Sequence, residues 1–455
     1  MPRRAGVAMA MTWRRLLSNK RLSCHGELID GAHQDLRSVF ERDWDRIMFS
    51  TAFRRMHDKT QVFPLPDNDV VHSRLTHSLE VASVGRSLGK LVGRVVLERH
   101  PALADQVDVH NLGEIVAAAC LAHDIGNPPF GHAGENAIAS FFKSSAGRAA
   151  TAALSARERD DFEHFEGNAQ GFRVLTRLQL EGDGGLHLTA ATLAAFSKYP
   201  REAGDALKTD QVFTKKHGFF LADRLTFQGL AEATGLSPSP AAGAVWARHP
   251  LAFLVEAADD ICYSILDIED GVRLGHVPAA AAEQLLATFA TPDTARLAAC
   301  SDEVERIGYL RAIAIHSMLK QCVAVFLDHE AELLDGSYGR SIADDIPHAR
   351  QLGDLKALAF RKCYRAPEVL EIELAGYEAL GGLLGAFVPA AADESRTGRA
   401  QKTFDLLLGR GVRLEGKTVY ERILRVTDYV SGMTDRHALA TFRRLTGIAI
   451  PGRLG

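Results

Sequence analysis

Cysteine is scarce in this chain of 455 residues. Its six copies are scattered at positions 24, 120, 262, 300, 322 and 363, with no C-x-x-C pair. That scatter argues against a disulfide framework and a zinc–thiolate site, and fits reduced thiols in a cytoplasmic protein. Positive charge is not in surplus either: 53 Lys and Arg stand against 57 Asp and Glu, a formal net charge of −4. No global basic field draws in nucleic acid or a membrane, so a polyanionic substrate would need cations gathered locally. No run approaches the ~18 consecutive apolar residues of a transmembrane helix, and no membrane partner is expected. Strand-like alternation is rare and there is no internal repeat. The start, Met1-Pro-Arg-Arg, opens like a signal peptide, but the apolar stretch after it stops at Thr12-Trp-Arg-Arg without a clear cleavage site. Residues 1–24 are expected to form a frayed extension.

What the chain does have is ordinary globular composition, 46% hydrophobic and 24% charged. That length buries a sizeable core without staples, so a bound metal would serve chemistry more than folding. Apolar residues recur at helical spacing from about 73 to 98 (Leu75, Leu79, Ala82, Leu88, Leu91, Val95). A second apolar stretch, Leu112 to Ala122, runs into His123-Asp124 and is broken by Gly126-Asn-Pro-Pro-Phe-Gly131. A helix restarts over 133–142, and another is expected from Pro250 to about Gly275, with proline at its start and glycine near its end. Further helical stretches cover 302–334, 353–385 and 415–446. Loops are expected at 182–185 and 237–243, and Ala390–Ala400 reads as an exposed, mobile connection. The fold class is mainly α, with one short β-hairpin.

The residues suited to chemistry cluster around His123-Asp124, where an apolar helix meets a Gly/Pro loop. An adjacent imidazole and carboxylate at a helix end can both reach one cation. His77, in Arg74-Leu-Thr-His77, and Asp259, in Glu256-Ala-Ala-Asp259-Asp260, offer two further ligands from separate helices. Two imidazoles and two carboxylates suit Mn, Fe, Co, Ni or Zn, and hold Mg less tightly. Taken singly, each has a bland explanation: a lone helical His is usually a satisfied core residue, and an Asp pair is usually solvated. The apolar sequence around them shifts the balance, because a charged group there needs a partner or a metal to offset its desolvation. Asp259, Tyr263 and Asp267 fall at i, i+4 and i+8, either a solvated stripe or the wall of a site. His132 and Glu135 lie one turn apart just after the dyad, suited to moving a proton near neutral pH or, more simply, to capping a helix. His164-Phe-Glu166 is a second His/Glu pair and by itself a weak signal.

Taken together, Arg74-Leu-Thr-His77-Ser, His123-Asp-Ile-Gly-Asn-Pro-Pro-Phe-Gly-His132, His164-Phe-Glu-Gly-Asn-Ala-Gln-Gly and Glu256-Ala-Ala-Asp259-Asp-Ile-Cys-Tyr263 resemble the deoxyguanosine triphosphate triphosphohydrolases. These are HD-superfamily dNTPases, which also include the eukaryotic sterile-alpha-motif-and-HD-domain enzyme. The resemblance covers residues 25 to 276 and returns at Tyr429-Val-Ser-Gly-Met-Thr-Asp435. It implies a helical HD fold, with a catalytic core over 25–276 and a helical part, 277–455, packed on it. It implies a divalent metal (Mn, Mg or another transition metal such as Fe, Co, Ni or Zn) held by His77, His123, Asp124 and Asp259. His132 and Glu135 match the proposed catalytic pair. Gln61 matches a residue that contacts the deoxyribose 3′-hydroxyl, and Tyr263 and Asp267 match residues that close the sugar pocket. Arg74, Lys198 and Tyr199 match phosphate contacts, and His164 joins the substrate-binding set.

The implied activity is hydrolysis of a dNTP, dGTP-like, to deoxynucleoside and tripolyphosphate. A dNTP effector, single-stranded DNA and a homo-oligomeric assembly are the other partners the resemblance brings in. Two alternatives stand beside it: another HD phosphohydrolase, such as a nucleotidase or phosphodiesterase, and a dNTP-sensing or single-stranded-DNA-binding regulator. The loops at 142–165 and 177–190 and most of the chain after 277 depart from the best-known dGTP-specific member, which leaves base preference open.

Overall fold

A reciprocal cap begins the helix expected near residue 73. In the computed structural model, Ser73 Oγ accepts from the Thr76 N–H at 3.4 Å and Thr76 Oγ1 accepts from the Ser73 N–H at 3.0 Å, starting the helix Arg74–Arg99. Asp108 caps Val109–Ala122 in the same way, its carboxylate taking the His110 N–H at 2.7 Å. The two helices lie almost backbone to backbone because Gly89 has no side chain. A Cβ there would fall 2.7 Å from the Leu112 carbonyl oxygen. The long helix Pro250–Arg273 crosses both, with proline in its first turn and a buried His249 whose Nδ1 accepts the Leu251 N–H at 3.1 Å. These three helices carry the dyad and its neighbours.

The structure describes residues 10–23, 26–31, 36–63, 71–179, 184–204, 211–239 and 243–448. Residues 1–9, Cys24 and parts of the two expected loops, 182–183 and 240–242, lie outside them. The described residues form 22 α-helices and one two-stranded sheet, in which Arg21–Leu22 pairs antiparallel with Leu28–Ile29. The class is mainly α with a single hairpin, as the pattern suggested. Two apolar cores are present. The larger joins the three helices above to Glu303–Asp328 and Ala349–Lys362. The smaller packs Gly131–Lys143 against Pro367–Ala392 and Val419–Ser431, so the C-terminal third covers the helix that follows the dyad.

Several expectations need correction. Residues 10–23 are not frayed: Trp13, Leu16 and Leu17 are buried, and the Trp13 indole N–H donates to Glu330 at 2.7 Å. One apolar helical turn suffices to anchor that segment. Ala390–Ala392 are not a mobile connection. The helix runs through Pro389 to Ala392, and Arg422 Nε donates to the Ala391 carbonyl at 2.7 Å, supplying a partner at a helix end that would otherwise lack one. The three C-terminal helical stretches each split in two, at His329, before Pro367 and at Gly432–Thr434. By length and composition alone, Glu303–Asp328 and Pro367–Ala392 could cross a membrane, but each packs a face into one of the two cores.

Candidate active site

His123 and Asp124 sit where the helix Val109–Ala122 ends. The His123 ring is oriented by its own helix: Nδ1 lies 2.7 Å from the Cys120 carbonyl oxygen. A carbonyl can only accept, so Nδ1 carries the proton and the Nε2 lone pair is left free. His77, almost wholly buried one turn into its helix, places Nε2 3.2 Å from Asp259 Oδ1, and His123 Nε2 lies 3.5 Å from the same oxygen. Ligand atoms of His77, His123 and Asp124 all lie within 4.8 Å of one another. Asp124 is held from behind by Asn127, whose Nδ2 donates to Oδ1 at 2.5 Å, and by an ion pair with Arg74. Burial opposes its charge, but Arg74 together with His123 and His77 outweighs that and holds the carboxyl down at about 2. Two ring nitrogens and two ionised carboxylates, oriented by surrounding hydrogen bonds, fit a divalent transition metal.

Beside this cluster opens a cavity of about 520 Å³, lined in part by Gln61, Arg74, Asp124, His132, Lys198, Asp259 and Tyr263. Arg74 reaches it through a gap made by Gly131. That residue has φ +57°, and a Cβ on it would fall 2.5 Å from the guanidinium. Phe130 just before it is also left-handed, φ 64°, a conformation costly for an aromatic residue and imposed by the Pro-Pro-Phe-Gly turn. Lys198 lies 3.2 Å from Glu256, which with its neighbours outweighs burial and raises the lysine pKa, so Lys198 brings a fixed positive charge. Gln61 Oε1 is buried with no hydrogen-bond partner. A buried carbonyl oxygen of this kind is usually met by a protein group, an ordered water or a ligand.

The other residues singled out divide. His132 lines the cavity, and burial, with Arg74 and Lys216 nearby, lowers its pKa, so the ring is neutral at pH 7. Glu135 is buried behind it, but no hydrogen bond joins the two among the described residues. Its Oε1 accepts the Gly167 N–H at 2.7 Å, and Oε2 lies 3.9 Å from Lys216 Nζ. Asp267 does not reach the cavity either. It is buried beneath Tyr364, whose hydroxyl donates to it, and burial raises its carboxyl to about 7. The stripe Asp259–Tyr263–Asp267 is therefore cavity wall at two positions and support at the third. Tyr199 stands outside the lining with its ring 5.8 Å from Lys198 Nζ. His164 is exposed, 3.8 Å from Asp160, and does not line the cavity.

Sequence reasoning missed the part of the cavity wall that comes from the C-terminal third. Tyr364, Val369, Ile372 and Glu373 come from the C-terminal third and line the same cavity. It also missed Asp435, almost completely buried. One of its carboxylate oxygens accepts from the Thr60 N–H at 3.0 Å and from Thr60 Oγ1 at 2.6 Å, and the other accepts from the Phe130 N–H at 3.0 Å. Asp435 thus ties the segment bearing Gln61 to the turn bearing His132. Its presence at the end of the Tyr429–Asp435 motif was the available signal.

Two histidines and two carboxylates brought together around a His-Asp dyad by three long helices define an HD-domain protein, a fold whose members bind divalent metals. Residues 74–193 match the HD domain family, and residues 346–444 match the phosphohydrolase-associated domain. A deoxyguanosinetriphosphate triphosphohydrolase-like protein of Synechocystis is 43% identical over 447 residues, covering 97% of this chain and 100% of the relative. A like-named protein of Pseudomonas aeruginosa is 40% identical over 454 residues, again 97% and 100%. The deoxyguanosinetriphosphate triphosphohydrolase of Cronobacter sakazakii is 30% identical over 502 residues, covering 92% and 96%. The chain belongs to the deoxyguanosinetriphosphate triphosphohydrolase-like family of HD-domain proteins and is a hydrolase.

Proposed function

We propose that this protein hydrolyses a deoxynucleoside triphosphate, dGTP-like, to deoxynucleoside and tripolyphosphate, with a divalent metal held by His77, His123, Asp124 and Asp259. The observation that carries the reading is one cavity in which that cluster meets two cations, Arg74 and Lys198, and an unpartnered amide, Gln61. The ion would supply Lewis-acid polarisation of a phosphoryl group. Arg74 and Lys198 would neutralise the phosphate chain, offsetting the acidic balance of the whole chain. Gln61 Oε1 would accept a hydrogen bond from the sugar 3′-hydroxyl, and the Tyr263 ring, backed by Tyr364 and Asp267, would crowd a 2′-hydroxyl. Water's oxygen adds to Pα, the Pα–O5′ bond breaks, and O5′ leaves with a proton. Neutral His132 would move that proton, while Glu135 would hold the partly exposed charge of Lys216 nearby.

The catalytic core in this reading spans 25–276, and 277–455 packs on it to complete the substrate wall. A nitrogen-rich donor set favours Mn, Fe, Co, Ni or Zn over Mg. The five cysteines among the described residues are all unpaired, which fits a cytoplasmic location. A dNTP effector, single-stranded DNA and a homo-oligomer are carried by the family resemblance alone. Anion-exchange separation of the products formed from each dNTP in the presence of Mn²⁺ tests the reading. Tripolyphosphate with free deoxynucleoside is expected. Orthophosphate or pyrophosphate would replace it with a nucleotidase or phosphodiesterase, and binding without turnover with a regulator.

A further inference from the structure

Just before the helix Pro250–Arg273 stands an arginine that reaches neither solvent nor the cavity. The side chain of Arg248 is wholly buried, with its guanidinium carbon 4.5 Å from the centroid of the Phe253 ring. Its Nη1 donates to Glu256 Oε2 at 2.5 Å, and its Nε donates to the Lys198 carbonyl at 2.8 Å. The other Glu256 oxygen, Oε1, lies 3.2 Å from Lys198 Nζ. Arg248 therefore holds both ends of Lys198, the carbonyl directly and the ammonium through Glu256. The backbone around them is tied as well. The Trp246 N–H donates to the Pro200 carbonyl at 2.9 Å, and the Glu202 N–H to the Ala244 carbonyl at 3.1 Å. Burial opposes the charge of Glu256, but Arg248 and Lys198 outweigh it and hold the carboxyl down at about 2.

Fixing the chain here would not need a charge. A buried ion pair often contributes no more stability than apolar side chains of the same size, and Arg248 Nη2 is buried without a hydrogen-bond partner. The balance of charge points to another role. Arg74, the other cation assigned to the phosphates, is matched one for one by Asp124. Lys198 would be matched in the same way by Glu256, and such a pair has no net charge to offer a polyanion. With Arg248 added, the triad carries one net positive charge, and Lys198 is its only member in the cavity wall. We propose that Arg248 is a positioning residue that acts through Lys198: by neutralising Glu256, it leaves the ammonium with charge to offer the phosphate chain of the substrate. The inference rests on the dNTP reading of the cavity. It also couples the phosphate-binding cation to the helix that carries Asp259.

The test compares two ligands by calorimetry on the full-length protein with Mn²⁺: a non-hydrolysable dGTP analogue, and deoxyguanosine, which carries no phosphate. Arg248→Met keeps an unbranched side chain and removes the charge. The analogue should then bind about tenfold more weakly or worse, the scale of one unit charge near a polyanion, while deoxyguanosine binds as it does to the wild type. Adding Glu256→Gln returns the net charge to its original value and should restore most of the analogue affinity, as should Arg248→Lys. A residue that only supports the fold would weaken both ligands together, and neutralising Glu256 would not repair its loss. Circular dichroism and melting temperature report folding. Should Arg248→Met not fold, Arg248→Lys and the double variant still decide, because both keep the net charge and both should bind the analogue close to wild type. Lys198→Ala serves as the reference. If it weakens the analogue while Arg248→Met does not, this inference alone is overturned. A double variant as weak as Lys198→Ala, or equal loss of both ligands in Arg248→Met, overturns it too. If Lys198→Ala leaves analogue affinity unchanged, the dNTP reading of the cavity fails and this inference falls with it.

Discussion

In the wall built by Arg74, His77, the dyad, His132 and Asp259, every side chain is ionisable, and all but His132 have a named partner. From the C-terminal third, Tyr364, Val369 and Ile372 offer a ring and methyl groups to the same cavity, and Glu373 is the one charge among them. Most of the first wall comes from helices of the larger core, with His132 on a helix of the smaller one. The second wall joins both: Val369 and Tyr364 pack with the larger core and Ile372 with the smaller. A charged wall held by hydrogen bonds tolerates little change, because a buried group that loses its partner costs about 1–3 kcal/mol. An apolar wall tolerates volume change at a modest cost. The comparison therefore assigns chemistry to one side and selectivity to the other, and substitutions on the two sides should fail in different ways.

The largest effect belongs to the charged wall. Asp124→Ala removes a carboxylate from the cluster and leaves the Arg74 guanidinium buried without its counter-ion, so both bound metal and turnover should fall to background. Elemental analysis of the purified variant beside a dNTP hydrolysis assay checks this. Full metal content with full activity would dissolve the distinction between the walls. His132→Ala comes next. With the cluster intact, metal content should stay at the wild-type level while kcat drops about 10²–10⁴-fold, the usual share of a group that moves a proton. Loss of metal in that variant would make His132 a ligand and not a proton carrier.

The charged wall was legible in the sequence and the apolar one was not, for a physical reason. A metal cluster needs particular atoms, so His123-Asp124 in an apolar run, with His77 and Asp259 on other helices, stands out against expectation. Val369 and Ile372 do only what core residues do, and nothing in their spacing says that they face a cavity. The fold class followed from 3.6-residue periodicity, but the breaks before Pro367 and at Gly432–Thr434 were read through as continuous helix. His132 and Glu135 read as a pair in the sequence because the two lie one turn apart. Spacing cannot show that the Gly167 N–H and Lys216 engage that carboxylate instead.

Asp435 joins the two regions and so tests whether they act as one. It belongs to the C-terminal third, yet its three hydrogen bonds end on Thr60 and Phe130, which flank Gln61 and His132. Asp435→Asn keeps the shape but turns one acceptor into a donor that faces an N–H, so only one of the two tethers survives. Misplacing positioned groups by about an ångström costs on the order of 10²-fold, and kcat/KM should fall by about that factor with metal content unchanged. Thr60→Val, which removes only the hydroxyl bond, should fall less. If both variants lose stability but keep kcat/KM, the tether is structural and the walls are independent.

The smallest effect is the one that speaks for selectivity. Val369 is nearly buried in the C-terminal wall, and Val369→Ala removes two methyl groups without touching any hydrogen bond of the cluster. An apolar surface discriminates weakly: one methylene more or less is worth about 1–3 kcal/mol, or roughly 10–200-fold at the outside. A shift near the lower end, about tenfold, is therefore expected in the ratio of kcat/KM between purine and pyrimidine dNTPs, with metal content and the rate on the best substrate little changed. A competition assay with all four dNTPs in one vessel reads that ratio directly. If Val369→Ala leaves it fixed while Glu373→Gln moves it, the base is read by a hydrogen bond at the rim and not by the shape of the apolar wall. If neither moves it while Asp435→Asn does, selectivity is set on the charged side by how Gln61 and His132 are held, and the division of labour between the walls fails.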